Sequence, residues 1–185
     1  MVGYERPERF WVLGPTPHAL AHRGRTNLNV PGESNSSIRI LLVDHKPSVR
    51  RGLKMRLALE EDLEVVGEAG DATEAISLAR ALRPDVILMD VELPGVSGIA
   101  ATETLRAVAP QSAVVIFTLR DAAATREQAR AAGAAAFVAK HRTEEVLLAT
   151  IRAVAATYAK QGRHDRHSAG TEEEHRDDTR DHRDA

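Results

Sequence analysis

Four polar residues stand directly behind short apolar runs: Asp44 after Leu41-Leu42-Val43, Asp90 after Ile87-Leu88-Met89, Thr118 after Val115-Ile116-Phe117, and Lys140 after Val138-Ala139. A carboxylate can take up a phosphoryl group if it is exposed at the end of a strand and the repulsion between the two anions is offset nearby. Asp90 is positioned for the first condition. The second requires that the other three side chains arrive at the same place, giving two carboxylates, a hydroxyl and an ammonium on one rim. Each residue also has an ordinary reading: Asp90 as a helix cap, Thr118 as a strand-end hydroxyl, Lys140 as a solvated cation. Their convergence therefore depends on the elements that carry them.

Those elements follow a regular alternation. Strands are predicted at Ile38 to Val43, Leu63 to Glu68, Val86 to Met89, Ala113 to Phe117 and Ala135 to Ala139, short and apolar as doubly covered strands are. Each precedes a helical pattern. In the first helix Val49, Leu53 and Leu57 recur at four-residue spacing, with Arg50, Arg51, Lys54 and Arg56 on the other faces. Asp71 with Glu74 resembles a capping box for a second helix ending near Leu82. Ser97 caps a third to about Val108, a fourth covers roughly Ala122 to Ala132, and Thr143-Glu144-Glu145 opens a fifth, whose buried stripe is Leu147, Ile151, Val154 and Tyr158. Five such units predict an α/β fold: a flavodoxin-like (βα)5 doubly wound parallel sheet in the order 2-1-3-4-5. Its ligand crevice lies beyond the carboxyl ends of the strands, where Asp44, His45, Asp90, Thr118 and Lys140 fall.

The 185 residues are 43% hydrophobic with a formal net charge of -2, which allows one domain with chain to spare and provides no overall basic field for nucleic acid or an anionic membrane. The absence of cysteine excludes disulfides, thiolate catalysis and cysteine-based zinc sites. No run approaches the roughly 20 apolar residues needed to cross a bilayer, and no signal peptide is evident, so a soluble cytoplasmic protein is expected. Residues 1–37, with Pro7, Pro15, Pro17 and Pro31, are expected to be a disordered extension. Its Phe10-Trp11-Val12-Leu13 cluster is either a docking motif or part of an unstructured leader. Residues 38–158 form the domain. Residues 159–185, rich in His, Arg, Asp and Glu, are expected to be a disordered charged tail. Its His164-Asp165-Arg166-His167, with His175 and His182, is either a weak metal-binding tract or simply solvated.

The strings Leu41-Leu42-Val43-Asp44, Gly67-Glu68-Ala69, Pro84-Asp85-Val86-Ile87-Leu88-Met89-Asp90, Leu93-Pro94-Gly95 and Gly133-Ala134 together resemble a bacterial response-regulator receiver domain of the NarL/LuxR-type branch. The resemblance covers Ile38 to about Tyr158. It implies a two-component phosphorelay in which Asp90 becomes an acyl phosphate, Lys140 pairs with the phosphoryl oxygens and Thr118 swings in to bond one of them. Phe137 is then the aromatic residue that rotates with the switch, although its bland reading is core. Metal ligands would be Asp44, Asp90 and the Glu92 backbone carbonyl, holding Mg2+. A histidine kinase or phosphotransfer protein would supply the phosphoryl group to a domain that catalyses at most its own phosphorylation and dephosphorylation.

Three departures shape the expectation. His45 stands where the family has a second acid, which removes an oxygen ligand and weakens Mg2+ binding. An imidazolium there would replace part of the metal's charge, or His45 is a tolerated rim residue. Leu119 stands where a small residue is usual and narrows the approach to Asp90. Beyond Tyr158 no helix-turn-helix pattern follows, so the expected output is through an unknown protein partner, without direct nucleic-acid or membrane contact and with a homodimer left open. The leading reading is a single-domain receiver signalling through its helix 4, strand 5, helix 5 face. The alternative is a pseudo-receiver, a phosphorylation-independent interaction module. A small enzyme or nucleotide binder is disfavoured because no glycine-rich phosphate loop follows the first strand.

Overall fold

The computed structural model describes residues 37–168, the last nine of these by backbone only. Strands β1 (Ile38–Val43), β2 (Leu63–Ala69), β3 (Val86–Met89), β4 (Ala113–Thr118) and β5 (Ala136–Ala139) alternate with helices α1 (Pro47–Leu57), α2 (Ala72–Leu82), α3 (Gly98–Val108), α4 (Ala123–Ala131) and α5 (Glu144–Ser168). All strand pairs are parallel, in the order β2-β1-β3-β4-β5, the expected flavodoxin-like arrangement. Successive side chains point to opposite faces, so a strand covered on both sides must be apolar throughout. Thus Leu41, Val43, Ile87 and Met89 pack with Ala75 and Ala79 of α2, Ala101 and Leu105 of α3, and Ala129 of α4. On the other face Ile40, Leu42, Val86 and Leu88 meet Leu57 of α1 and Leu147, Leu148, Ile151 and Val154 of α5.

The caps form where local chemistry demands them. Asp71 accepts the Glu74 amide at 2.9 Å, satisfying one of the donors left open at the start of α2, while the Glu74 carboxylate reaches back past the cap to accept the Gly70 amide at 2.8 Å. Ser97 accepts the Ala100 amide and caps α3. The end of the last helix differs from expectation. The backbone of α5 passes Tyr158, the predicted end of the domain, and continues to Ser168. Ala155, Ala156, Ala159, Lys160 and Gln161 are strong helix formers, and local propensity prolongs a helix already anchored by its buried stripe. Phe10-Trp11-Val12-Leu13, His175 and His182 lie outside the described residues.

One ion-pair network ties α5 to the turn between α1 and β2. The Arg152 guanidinium donates two hydrogen bonds to the Asp62 carboxylate, each 2.7 Å, and one to Glu60 at 2.8 Å. Arg56 joins Glu60 at 2.9 Å and also pairs with Glu144. The hydrogen bonds from Arg152 are the chief reason that Asp62 and Glu60 both titrate below the usual carboxylate range. A carboxyl depressed in the folded state stabilises the fold above its unfolded pKa and loses that contribution as pH falls through the folded value. Arg152→Met should therefore lower the melting temperature at pH 7 and flatten its decline below about pH 4. Melting curves of both proteins across that range provide the check; parallel declines would mean that the network does not contribute to acid sensitivity.

Candidate functional site

The rim is built by the strand ladder itself. Val43 is in register with Met89, so Asp44 and Asp90 leave the sheet side by side. The Asp90 amide donates to the Val43 carbonyl at 2.9 Å and the Asp44 amide to the Ala69 carbonyl at 3.1 Å, continuing the parallel pattern one step beyond the strands. Lys140 follows β5, and its amide donates to the Thr118 carbonyl at 2.8 Å. Asp44 also braces the turn that leads into α1: its Oδ1 accepts the Lys46 amide at 2.8 Å, and its carbonyl accepts Arg50 Nη1 at 2.6 Å.

Lys140 Nζ lies 2.5 Å from Asp44 Oδ2 and 3.1 Å from Asp90 Oδ2, bridging the two carboxylates. Asp90 is only 3% exposed and Asp44 2%. The expectation that Asp90 would be exposed is thus corrected: it stands at the strand end, but the Lys140 ammonium and the His45 ring lie close against its carboxylate. His45 Nδ1 is 3.8 Å from Asp90 Oδ2 and 3.9 Å from Asp44 Oδ1. Asp90 Oδ1 and His45 Nδ1 are buried with no hydrogen-bond partner among the described residues.

The remaining candidates are arranged less directly. Thr118 closes β4 rather than following it, is fully buried, and its Oγ1 accepts the Arg120 amide at 3.3 Å; no hydrogen bond joins it to Asp90 among the described residues. Phe137 is buried in the core beside α4, with the Arg126 guanidinium 5.1 Å from its ring centroid and Asp121 holding Arg126 Nε at 2.6 Å. The Glu92 side chain turns to Arg120 at 2.8 Å, and that hydrogen bond is the main cause of its lowered pKa. Leu119 is 60% exposed next to Thr118.

Sequence reasoning missed the supports of this rim. Arg50 was read only as a solvated face of α1, yet it holds the Asp44 carbonyl. Arg126 carried no signal at all, because its contact with Phe137 depends on how α4 packs on β5 and not on the spacing of the two residues. Gly98 was also overlooked. A Cβ there would overlap the Asp90 carbonyl oxygen, so only glycine lets α3 begin against the backbone of the candidate acceptor. Gly98→Ala should cost at least about 1–3 kcal/mol by overpacking. Gly52→Ala, on an exposed face of α1 with nothing within 4 Å of the added methyl, should gain up to about 1 kcal/mol from helix propensity. Urea unfolding of the two variants tests the contrast, and a neutral Gly98→Ala would disprove the tight approach.

Asp44, His45 and Asp90 can each offer one ligand atom, all within 4.8 Å of one another. An unpartnered Asp90 oxygen and a buried imidazole nitrogen suit a divalent cation. They match Mg2+ poorly, because that ion requires near-octahedral oxygen ligation at about 2.0–2.1 Å.

A doubly wound sheet with two carboxylates and a bridging lysine at its carboxyl edge defines a receiver-type α/β module. Residues 40–152 match the response regulator receiver domain, and the chain belongs to that family. It is 38% identical over 122 residues to the uncharacterized transcriptional regulatory protein YxjL of Bacillus subtilis, covering 66% of this chain and 56% of that protein. It is 40% identical over 114 residues to the nitrate/nitrite response regulator protein NarP of Escherichia coli, covering 62% and 53%. A LuxR family two-component response regulator from Aurantimonas sp. SI85-9A1 superposes with a TM-score of 0.64 at 38% identity, covering 66% of this chain and 87% of that one. The signal receiver domain of a NarL response regulator from Mycobacterium tuberculosis gives 0.60 at 31% identity, covering 67% and 98%. The chain spans about half the length of the curated relatives it matches. Receiver domains interact with histidine kinases or phosphotransfer proteins and bind Mg2+ at an acidic cluster; here the group at that position is Asp44, His45 and Asp90. Among the described residues, no helix is long and apolar enough to cross a membrane.

Proposed function

We propose that this receiver is a phosphorylation switch whose acceptor is Asp90. The observation that carries the reading is the Lys140 ammonium bridging Asp44 and Asp90 while Asp90 Oδ1 has no hydrogen-bond partner among the described residues. A histidine kinase or phosphotransfer protein presents a phosphohistidine. Once the half-exposed His45 ring moves off the rim and uncovers it, Asp90 Oδ1 attacks phosphorus, the P–N bond breaks, and the electron pair stays on the departing imidazole; the product is an acyl phosphate. Lys140 neutralises charge on the transferred oxygens. The new group adds about -1.5 to -2 charges and three acceptor oxygens, enough to draw the Thr118 hydroxyl away from its long hydrogen bond to the Arg120 amide. Phe137 then turns on β5, leaving Arg126, and the α4–β5–α5 face passes the change to a protein partner.

A second reading is favoured by His45: a receiver that keeps the fold and its protein contacts without accepting phosphate. Intact mass spectrometry after incubation with a small-molecule phosphodonor and a divalent cation separates them. Gain of one phosphoryl mass supports the switch. No gain in the native protein, with gain restored by His45→Asp, supports the phosphorylation-independent module.

A further inference from the structure

We propose that Asp44, His45 and Asp90 form a site for a borderline transition-metal ion of the Co2+ or Zn2+ class, selected over Mg2+ by the imidazole. The proposal rests on the reading of this rim as a cation site and specifies which cation. His45 Nδ1 lies almost equidistant from one oxygen of each carboxylate, 3.9 Å from Asp44 Oδ1 and 3.8 Å from Asp90 Oδ2. The His45 side chain is 35% exposed, yet this nitrogen is shut off from solvent and unpartnered among the described residues. Asp90 Oδ1, on a residue only 3% exposed, is unpartnered in the same way. Buried polar atoms normally have partners, and two that lack them on residues of one cluster mark a place built for something both residues can bind.

The metrics suit a metal. Bonds of about 2.0–2.2 Å to nitrogen and oxygen put neighbouring donors about 3–3.5 Å apart, and the three candidate ligand atoms already lie within 4.8 Å of one another, so side-chain shifts of about 1–2 Å at most close the site on an ion. Lys140 approaches Asp44 and Asp90 through their Oδ2 atoms, and the Lys46 amide fixes Asp44 Oδ1 without using all its lone pairs. Two carboxylates against one ammonium leave a formal negative charge to attract a cation. Donor chemistry sets the choice: imidazole suits zinc and its first-row neighbours, whereas Mg2+ prefers oxygen donors and water. With Asp44 and Asp90 constant, His45 is the residue that decides between them.

Co2+ is the probe of choice, because it reports its ligands by visible absorption as well as by heat of binding. The full chain should take up Co2+ more tightly than Mg2+. His45→Ala should weaken Co2+ by at least about tenfold while leaving Mg2+ affinity nearly unchanged. His45→Asp should reverse the preference; because it retains a ligand, collapse of the site would instead show as loss of Mg2+ as well. The tail histidines are present in every variant, so only the difference made at position 45 counts. Equal Co2+ binding by the native protein and His45→Ala overturns the proposal, as does a native site that holds Mg2+ as tightly as Co2+. Phosphorylation is scored separately. Phosphate uptake by Asp90 with Co2+ binding indifferent to His45 refutes this metal assignment alone, whereas Co2+ held through His45 in a protein that never takes phosphate refutes the switch and leaves the metal site standing.

Discussion

Asp90→Asn is expected to abolish phosphoryl uptake from a small-molecule donor, leaving the intact mass unchanged under conditions that load the native protein. An amide is not an acceptor for acyl phosphate formation, and Asp44, whose Oδ2 is 2.5 Å from Lys140 and whose Oδ1 accepts the Lys46 amide, lacks an oxygen like Asp90 Oδ1, which has no partner among the described residues. Lys140→Met should slow the same reaction by about 10²–10³-fold, the usual loss when one preorganised charge-stabilising donor is removed. Thr118→Ala should still be phosphorylated, because the hydroxyl acts after transfer; its defect belongs in partner binding. Phosphate on Asp90→Asn would place the acceptor elsewhere and end the present assignment.

Lys140→Met should also produce the largest loss of stability, about 3–5 kcal/mol, since removing one partner leaves buried charge uncompensated. Asp44 and Asp90 are 2% and 3% exposed, and the Lys140 ammonium lies between them. The loss should be mostly recovered in Lys140→Met with Asp90→Asn, because the second change removes one of the two carboxylates left facing each other. Urea unfolding of the native protein, both single variants and the double variant at pH 7 without added metal measures the coupling. Simple additivity would mean that the lysine and the two carboxylates do not act as a unit.

These predictions draw on different levels of information. The five strands and their helices followed from apolar runs alternating with 3.6-residue stripes, because a sheet covered on both faces leaves an unbroken apolar signature, whereas the sheet order came from analogy with known doubly wound folds. Asp44, Asp90 and Lys140 could be named because a parallel sheet directs the residue behind each strand to the same edge. His45 was visible as a departure, since adjacency in the chain is enough to place it beside Asp44. What lay beyond the sequence was distance and enclosure. Nothing in the order of residues says that Lys140, 96 positions from Asp44, would touch two carboxylates at once, that Asp90 would be shut from solvent, or that Thr118 would face the Arg120 amide. The Arg152 network and the Arg126 contact with Phe137 were equally silent, as was the close approach of Gly98 to the Asp90 carbonyl. Periodicity encodes which face of an element is buried. Which charged side chains meet across elements is set by how the helices pack on the sheet, and that geometry exists only once the chain is folded.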